Sequence, residues 1–105
     1  MSNDFNCRLA VLRTRFLERA MTDAEELDAI ATRFEAGAPE AQARPLVQKI
    51  AHRLAGASGT FGFSGISLCA TELQDFVSDV SDPPDLADAC RTLAAEIRRG
   101  KARDE

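Results

Sequence analysis

The chain has 105 residues, of which 45% are hydrophobic and 29% are charged, and its formal net charge is −4. This length suits a single domain with one core, and the acidic balance argues against a nucleic-acid binder, which needs a basic surface. No apolar run approaches the roughly 18 residues of a membrane span, and residues 1–4 do not begin a signal peptide. We therefore expect a cytoplasmic protein that does not enter a membrane.

The first third of the chain has a helical period, and no segment shows the alternation of a strand. A first helix is predicted over roughly residues 4–20, and its apolar face consists of Phe5, Leu9, Leu12 and Phe16. The segment Thr22–Glu25 has the form of a capping box, which predicts a second helix that Gly37 closes. The pattern leaves open whether these are two helices or one bent rod.

Prolines and glycines divide the remainder into three helices. Because a proline fits the first turn of a helix, Pro45 predicts a third helix from about Arg44 to about Ser58. A turn over residues 60–64 leads to a fourth helix, which is predicted from Ser64 to Val80. The segment Ser81-Asp82-Pro83-Pro84 breaks the chain before a fifth helix that ends at Gly100.

Long amphipathic helices with short connections predict an all-α fold, an antiparallel up-and-down bundle, over residues 1–105 as a single domain. Residues 1–3 and 101–105 are expected to fray. The three cysteines, Cys7, Cys69 and Cys90, are far apart and fall on or beside apolar stripes, so small buried thiols are expected. With a single histidine in the chain, no metal site is predicted.

The one histidine, His52, points away from the predicted core. The apolar residues of its helix fall within an arc of about 80°, and His52 lies roughly 170° from the middle of that arc. Helical side chains lean toward the N-terminus, so the residue at position 56 would cover the imidazole, and it is Gly56. Gly59 follows on the same face. A glycine inside a helix costs about 1 kcal/mol relative to alanine, which open access to the ring would explain. Early helix termination explains Gly56 equally well, and an incidental surface histidine remains the alternative.

An exposed imidazole is able to accept and carry a phosphoryl group. A neutral imidazole has a free nitrogen lone pair that can attack phosphorus and carry the group as phosphohistidine. Such a carrier needs a hydrogen bond that fixes the ring, positive charge for the phosphate and room for the donor. Lys49 and Arg53 flank His52 and could supply the charge.

The twelve residues His52–Phe63, H-R-L-A-G-A-S-G-T-F-G-F, resemble the signature of histidine-containing phosphotransfer (HPt) domains. That signature has a histidine, any residue, a hydrophobic residue, a lysine, a glycine, two small residues, a glycine and Phe-Gly-Phe or Phe-Gly-Leu. The resemblance implies an antiparallel four-helix bundle with an accessory N-terminal helix. It also implies that His52 accepts a phosphoryl group from a receiver-domain aspartate and passes it to another receiver.

The resemblance also implies roles for residues other than the histidine. It implies that Gln74, on the following helix, orients the imidazole, with the amide oxygen accepting from Nδ1–H. It assigns access and partner docking to four positions after the histidine, namely Ala55, Gly56, Gly59 and Phe63. The signature's lysine is Ala55 here, so Lys49 or Arg53 is expected to supply the phosphate charge instead.

The resemblance also implies partners, whereas nucleic acid and membrane are excluded by the charge and hydropathy given above. Response-regulator receiver domains and a hybrid histidine kinase are expected to bind, and nucleic acid and membrane are not. No ATP-binding segment is recognised, so the chain is expected to be a phosphocarrier rather than an enzyme. It is also expected to be a monomer without a cofactor, and Mg²⁺ is expected on the partner receiver. Because Ala55 replaces the lysine, the alternative is a module that docks a receiver or kinase without transferring phosphate.

Overall fold

The computed structural model describes residues 2–79 and 83–104, and every regular element among them is an α-helix. The helices are α1 Ser2–Glu35, α2 Glu40–Thr60, α3 Ser64–Asp79 and α4 Pro83–Asp104. They pack as a ring, in which α1 contacts α2 and α4, and α3 also contacts α2 and α4. The predicted all-α antiparallel four-helix bundle is confirmed.

The core consists of apolar side chains that recur at helical spacing on all four helices. The large ones with almost no exposed surface are Leu17, Leu27, Ile30, Val47, Ile50, Leu54, Ile66, Leu86, Leu93 and Ile97. Each helix turns one stripe inward, so its opposite face is available to solvent and to partners.

Helix α1 is one continuous helix, which settles the question that the sequence left open. The Thr22 hydroxyl donates to the carbonyl of Glu18 at 3.4 Å, a bond within a helix rather than a cap on a new one. No glycine or proline interrupts residues 2–35. The capping-box prediction is therefore wrong, and the predicted accessory helix is the first part of α1 rather than a separate element.

Two glycines with positive φ end the first two helices. Gly37 has φ 95° and Gly62 has φ 84°, a region that a residue with a side chain rarely adopts. After α2, the N–H of Phe63 donates to the carbonyl of Ser58 at 2.8 Å, which reverses the chain within a few residues. The predicted end at Gly37 is confirmed, and α2 continues to Thr60 rather than stopping at Ser58.

Helix α2 begins at Glu40, one turn before the predicted start near Arg44. Pro45 is the sixth residue of this helix, and because proline has no N–H, the only backbone bond that it removes is the one to the carbonyl of Ala41. The guanidinium of Arg44 donates to the carbonyl of Val77 on α3 and ties the beginning of α2 to the bundle.

Helix α4 passes through Gly100, which the sequence marked as its end. The glycine serves packing instead, because a Cβ there would lie 2.9 Å from Cδ1 of Ile66 on α3. Beyond it, Asp104 pairs with Arg13 at 2.9 Å. Residues 101–104, which were expected to fray, are therefore the last turn of the helix.

The connection between α3 and α4 is only partly described. Helix α3 begins at Ser64, as predicted, and is described to Asp79. Its predicted last residue, Val80, and residues 81–82 of the predicted break lie outside the described residues, as do the two residues at the chain ends. Helix α4 then begins at Pro83, in agreement with the preference of proline for a first turn.

Candidate functional site

His52 lies on the solvent face of α2. The opposite face of this helix buries Val47, Ile50 and Leu54 in the core, and His52 is exposed. The outward direction predicted from the helical phase is therefore observed. Both ring nitrogens can be reached from outside the bundle or by a neighbouring side chain.

That neighbouring side chain is Gln74 of α3, which is half-buried. Its Nε2 lies 2.8 Å from Nδ1 of His52, so the structure brings together the two residues that the resemblance paired. As placed, the amide nitrogen donates to Nδ1, which puts the ring proton on Nε2. The sequence predicted the reverse, with the amide oxygen accepting from Nδ1–H. The two arrangements differ by a half-turn of the amide group and keep the same contact.

Ser67 also lies beside the site, and no role was predicted for it from the sequence. Its hydroxyl donates to the carbonyl of Ala55 at 2.8 Å and so ties α3 to α2 beside the histidine. Ser67 precedes Gln74 by two helical turns and lies on the same face of α3. A polar residue at that spacing from Gln74 is the signal that could have identified it.

The two glycines above His52 are not required by the fold. A Cβ on Gly56 would meet no atom within 4 Å, and one on Gly59 would make an ordinary contact of 3.6 Å with Oγ of Ser67. Neither has a positive φ, and α2 continues to Thr60, so early termination does not explain Gly56. The cost of Gly56 in helix propensity, about 1 kcal/mol, is one that open access to the ring would explain.

Arg53 turns toward α1 and pairs with a buried carboxylate. Its Nη2 lies 2.5 Å from Oδ1 of Asp23, whose side chain is 2% exposed. Arg19 also approaches this oxygen, at 3.8 Å. Over the described residues, the other carboxylate oxygen of Asp23 has no hydrogen-bond partner. Since a buried carboxylate without a cation is strongly unfavourable, much of the charge of Arg53 serves Asp23 rather than the histidine.

Lys49 is the other predicted cation, and its charge is available. It is exposed, one turn before His52 on α2, and it has no ion-pair partner in the part of the chain that the structure describes. Helix α3 contains neither lysine nor arginine, so it offers the histidine no side-chain cation. Ala55, the position of the usual lysine, is half-buried against the core.

Phe63 was assigned to partner docking, and this assignment is wrong. Its side chain is 8% exposed and belongs to the core. The ring stacks on Phe16 with centroids 5.6 Å apart, and the guanidinium carbon of Arg13 lies 4.8 Å from its centroid. Phe63 therefore anchors the turn after α2 and offers almost no surface to a partner.

Other kinds of site find little support in the described residues. Across residues 2–79 and 83–104, no three or more His, Cys, Asp or Glu side chains are grouped so that they could hold a metal ion. No helix within these ranges combines the length and apolarity needed to span a membrane. Of the three thiols, Cys90 is buried and Cys69 half-buried, whereas Cys7 is exposed rather than buried as expected.

Comparison with protein families gives the site its context. The family model for the Hpt domain matches residues 11–100, which include His52 and Gln74. The chain belongs to the Hpt domain family. Hpt domains act in phosphotransfer within two-component signalling, and they are phosphocarrier modules rather than kinases. Comparison with curated proteins and with solved structures found no significant match.

The geometry of this Hpt domain agrees with a carrier. His52 is held from one side by Gln74, has open space above it at Gly56 and has a cation nearby in Lys49. It stands on the exposed, convex face of a helix, where few side chains could surround a small molecule. A phosphoryl donor at such a position is best presented by another protein surface.

Proposed function

We propose that this Hpt domain is a phosphorelay intermediate that shuttles a phosphoryl group between receiver domains. His52 accepts the group from the aspartyl phosphate of one receiver and passes it to the aspartate of another. The observation that carries the proposal is an exposed imidazole whose Nδ1 lies 2.8 Å from the Gln74 amide. The open space at Gly56 supports it, because the receiver's aspartyl phosphate must come within bonding distance of the ring.

The transfer uses both ends of the Gln74 amide. Before transfer, the amide oxygen accepts from Nδ1–H, which leaves the Nε2 lone pair of His52 free. This lone pair forms the N–P bond while the bond from phosphorus to the aspartyl oxygen breaks, and that electron pair stays on the receiver's carboxylate. Nδ1–H then loses its proton to water, and the amide nitrogen of Gln74 donates to Nδ1. Transfer to the second receiver reverses these steps.

The phosphate charge is divided between the partners in this proposal. Lys49 supplies positive charge from α2, and Mg²⁺ in the receiver's aspartate site neutralises the departing carboxylate. No cofactor is assigned to the chain itself. A hybrid histidine kinase is the proposed origin of the phosphoryl group, since the chain is proposed to have no ATP-dependent kinase activity of its own.

The direct test is to incubate the protein with a panel of receiver domains that carry radiolabelled aspartyl phosphate. We expect a label on the protein that is stable in alkali and labile in acid, as phosphohistidine is, and that His52→Gln abolishes. Receivers that bind the protein without transferring label to it would contradict the proposal and indicate a docking module instead.

A second measurement tests the role of Lys49. Lys49→Ala should lower the single-turnover transfer rate about tenfold, which corresponds to a loss of about 1.4 kcal/mol of transition-state stabilisation. Arg33→Ala is the matched control, because Arg33 is also exposed and unpaired over the described residues but lies near the other end of the bundle. Equal rates for the two variants would refute the assignment of Lys49.

A further inference from the structure

The beginning of α1 extends past the rest of the bundle. The last described residue of α4, Asp104, pairs with Arg13, and Phe61 of the turn after α2 stacks on Phe16 with centroids 5.3 Å apart. These contacts mark the level at which α2 ends, α3 begins and the described part of α4 ends. Residues 4–12 continue beyond it for about 13 Å, at 1.5 Å per residue.

This projecting part has an apolar stripe that the bundle does not cover. Phe5 is 67% exposed, Leu9 42% and Leu12 50%. We call these three residues the N-terminal stripe. They lie in line with Phe16 and Leu27, which face the core, so the stripe continues the packing face of α1 into solvent. Such a face needs another surface to cover it.

The spacing of the stripe fits a helix as its occupant. From Phe5 through Leu9 and Leu12 to Phe16, the steps are four, three and four residues, as in the a and d positions of a heptad. These residues span an arc of only about 60°, the narrow seam of a helix pair. A helix that lies on a membrane needs a wider apolar face. The exposed Val11 does not widen the stripe, because Arg8 and Arg15 lie between Val11 and Leu12 around the helix, so a protein helix is the better match.

The charges beside the stripe define the partner further. Its flanking heptad positions contain Arg8, Arg13 and Arg15, and Asp4 is the only acidic residue among residues 4–17. Arg8 and Arg15 have no ion-pair partner in the described ranges, 2–79 and 83–104. Pairing two copies of this stripe would place arginine beside arginine, which is unfavourable in either orientation.

From this pattern we propose that the N-terminal stripe docks an amphipathic helix of a partner protein, with leucine-like residues at its seam and acidic residues at its flanks. The surface is separate from the phosphotransfer site. His52 lies about 12 Å before the end of α2 at Thr60, and the stripe lies on the far side of that end. A helix bound to the stripe therefore leaves the histidine accessible, and binding does not depend on phosphoryl transfer.

The test uses two fluorescently labelled 21-residue helical peptides with leucine at the a and d positions. One has glutamate at every e and g position and the other has lysine, and the like charges keep each peptide from pairing with itself. Fluorescence anisotropy with the full chain should show binding of the glutamate peptide at least tenfold tighter than of the lysine peptide. His52→Gln should bind as the wild type does.

Matched variants locate the contact. Leu9→Ser combined with Leu12→Ser should weaken binding of the glutamate peptide at least tenfold. Val11→Ser should not, because Val11 is 50% exposed like Leu12 but points about 100° away from the stripe. Arg8→Glu with Arg15→Glu should reverse the preference toward the lysine peptide. Circular dichroism will establish that all variants remain helical.

Four outcomes would overturn the proposal. Equal affinity for the two peptides would show that the flanking charges do not select the partner. Binding that survives the leucine substitutions would show that the N-terminal stripe is not the binding surface. A dimer in sedimentation that Leu9→Ser with Leu12→Ser abolishes would identify a second copy as the occupant. Tighter capture by phosphatidylserine vesicles than by neutral ones, lost in the same variant, would identify a membrane surface.

Discussion

Replacing Gly56 with alanine should make the protein more stable and a poorer phosphocarrier. The new methyl group would meet no atom within 4 Å, and the backbone of Gly56 has no positive φ. The substitution therefore removes the helix-propensity cost of glycine, about 1 kcal/mol, without a clash. In a domain of this size, that gain raises the melting temperature by about 4–8 °C. Thermal unfolding followed by circular dichroism measures it.

The same methyl group should slow phosphoryl transfer. Side chains of a helix lean toward its N-terminus, so a Cβ at position 56 would project toward His52 into the space through which a receiver approaches, although it would lie more than 4 Å from every atom of the ring. A receiver held back by about 1 Å loses up to a hundredfold in rate, and we expect a decrease of at least tenfold in a single-turnover assay. Gly59→Ala is the companion variant, because it gains similar propensity while its methyl lies about 10 Å away from the ring along the helix.

These two variants separate the possible outcomes. A stabilised Gly56→Ala protein that transfers at the wild-type rate would refute the access argument. A destabilised one would instead refute the conclusion that the space above the ring is open. A decrease in rate that is as large for Gly59→Ala would show that the methyl group does not act through the imidazole.

Three further predictions concern the bundle. Gly100→Leu should lower the free energy of unfolding by about 2 kcal/mol in denaturant titration, because a Cβ there already lies 2.9 Å from Ile66. Arg53→Ala should destabilise by about 2 kcal/mol because Asp23 loses the nearer of its two cations and keeps only Arg19 at 3.8 Å, and adding Asp23→Asn should restore most of the loss in a double-mutant cycle. Burial raises the pKa of the Cys90 thiol from 9.0 to about 12, so the unfolded state loses this proton first as pH rises. This thiol should therefore lower stability by up to about 1.4 kcal/mol per pH unit above pH 9, and Cys90→Ala should remove that part of the slope; an unchanged slope would contradict the assignment.

Periodicity was sufficient to predict the bundle because each helix keeps one apolar stripe over several turns. The helix ends were harder to predict, because the same local sequence pattern can either end a helix or occur inside one. Gly37 ends α1 through its positive φ, whereas Gly100 lies inside α4 and makes room for Ile66. The capping pattern at Thr22 occurs within a helix because the hydroxyl can also bond to the carbonyl one turn earlier. Only the packed structure distinguishes these cases.

In the candidate site, too, some features could be predicted from the sequence and others depend on how the helices pack. The helical phase was enough to place His52 outward, and Gln74 followed from the family pattern. The pairing of Arg53 could not be read from the sequence, because Asp23 lies on another helix and is buried only after the bundle forms. Phe63 was misassigned for the opposite reason, since its position in the signature reflects packing of the turn rather than contact with a partner.

The pairing of Arg53 also bears on the missing lysine. A phosphoryl group on His52 would bring about two negative charges to a site where α3 offers no cation. Arg19, Arg53 and Asp23 together carry one net positive charge on the side facing α1, and Lys49 adds another on α2. Their sum matches the phosphoryl charge, although no lysine stands at Ala55. Only Arg53 is held closely by the buried carboxylate, at 2.5 Å against 3.8 Å for the exposed Arg19, and Asp23 offsets much of its charge. We therefore expect Lys49→Ala to slow transfer more than Arg53→Ala does in the same single-turnover assay, and the reverse order would contradict this division of charge.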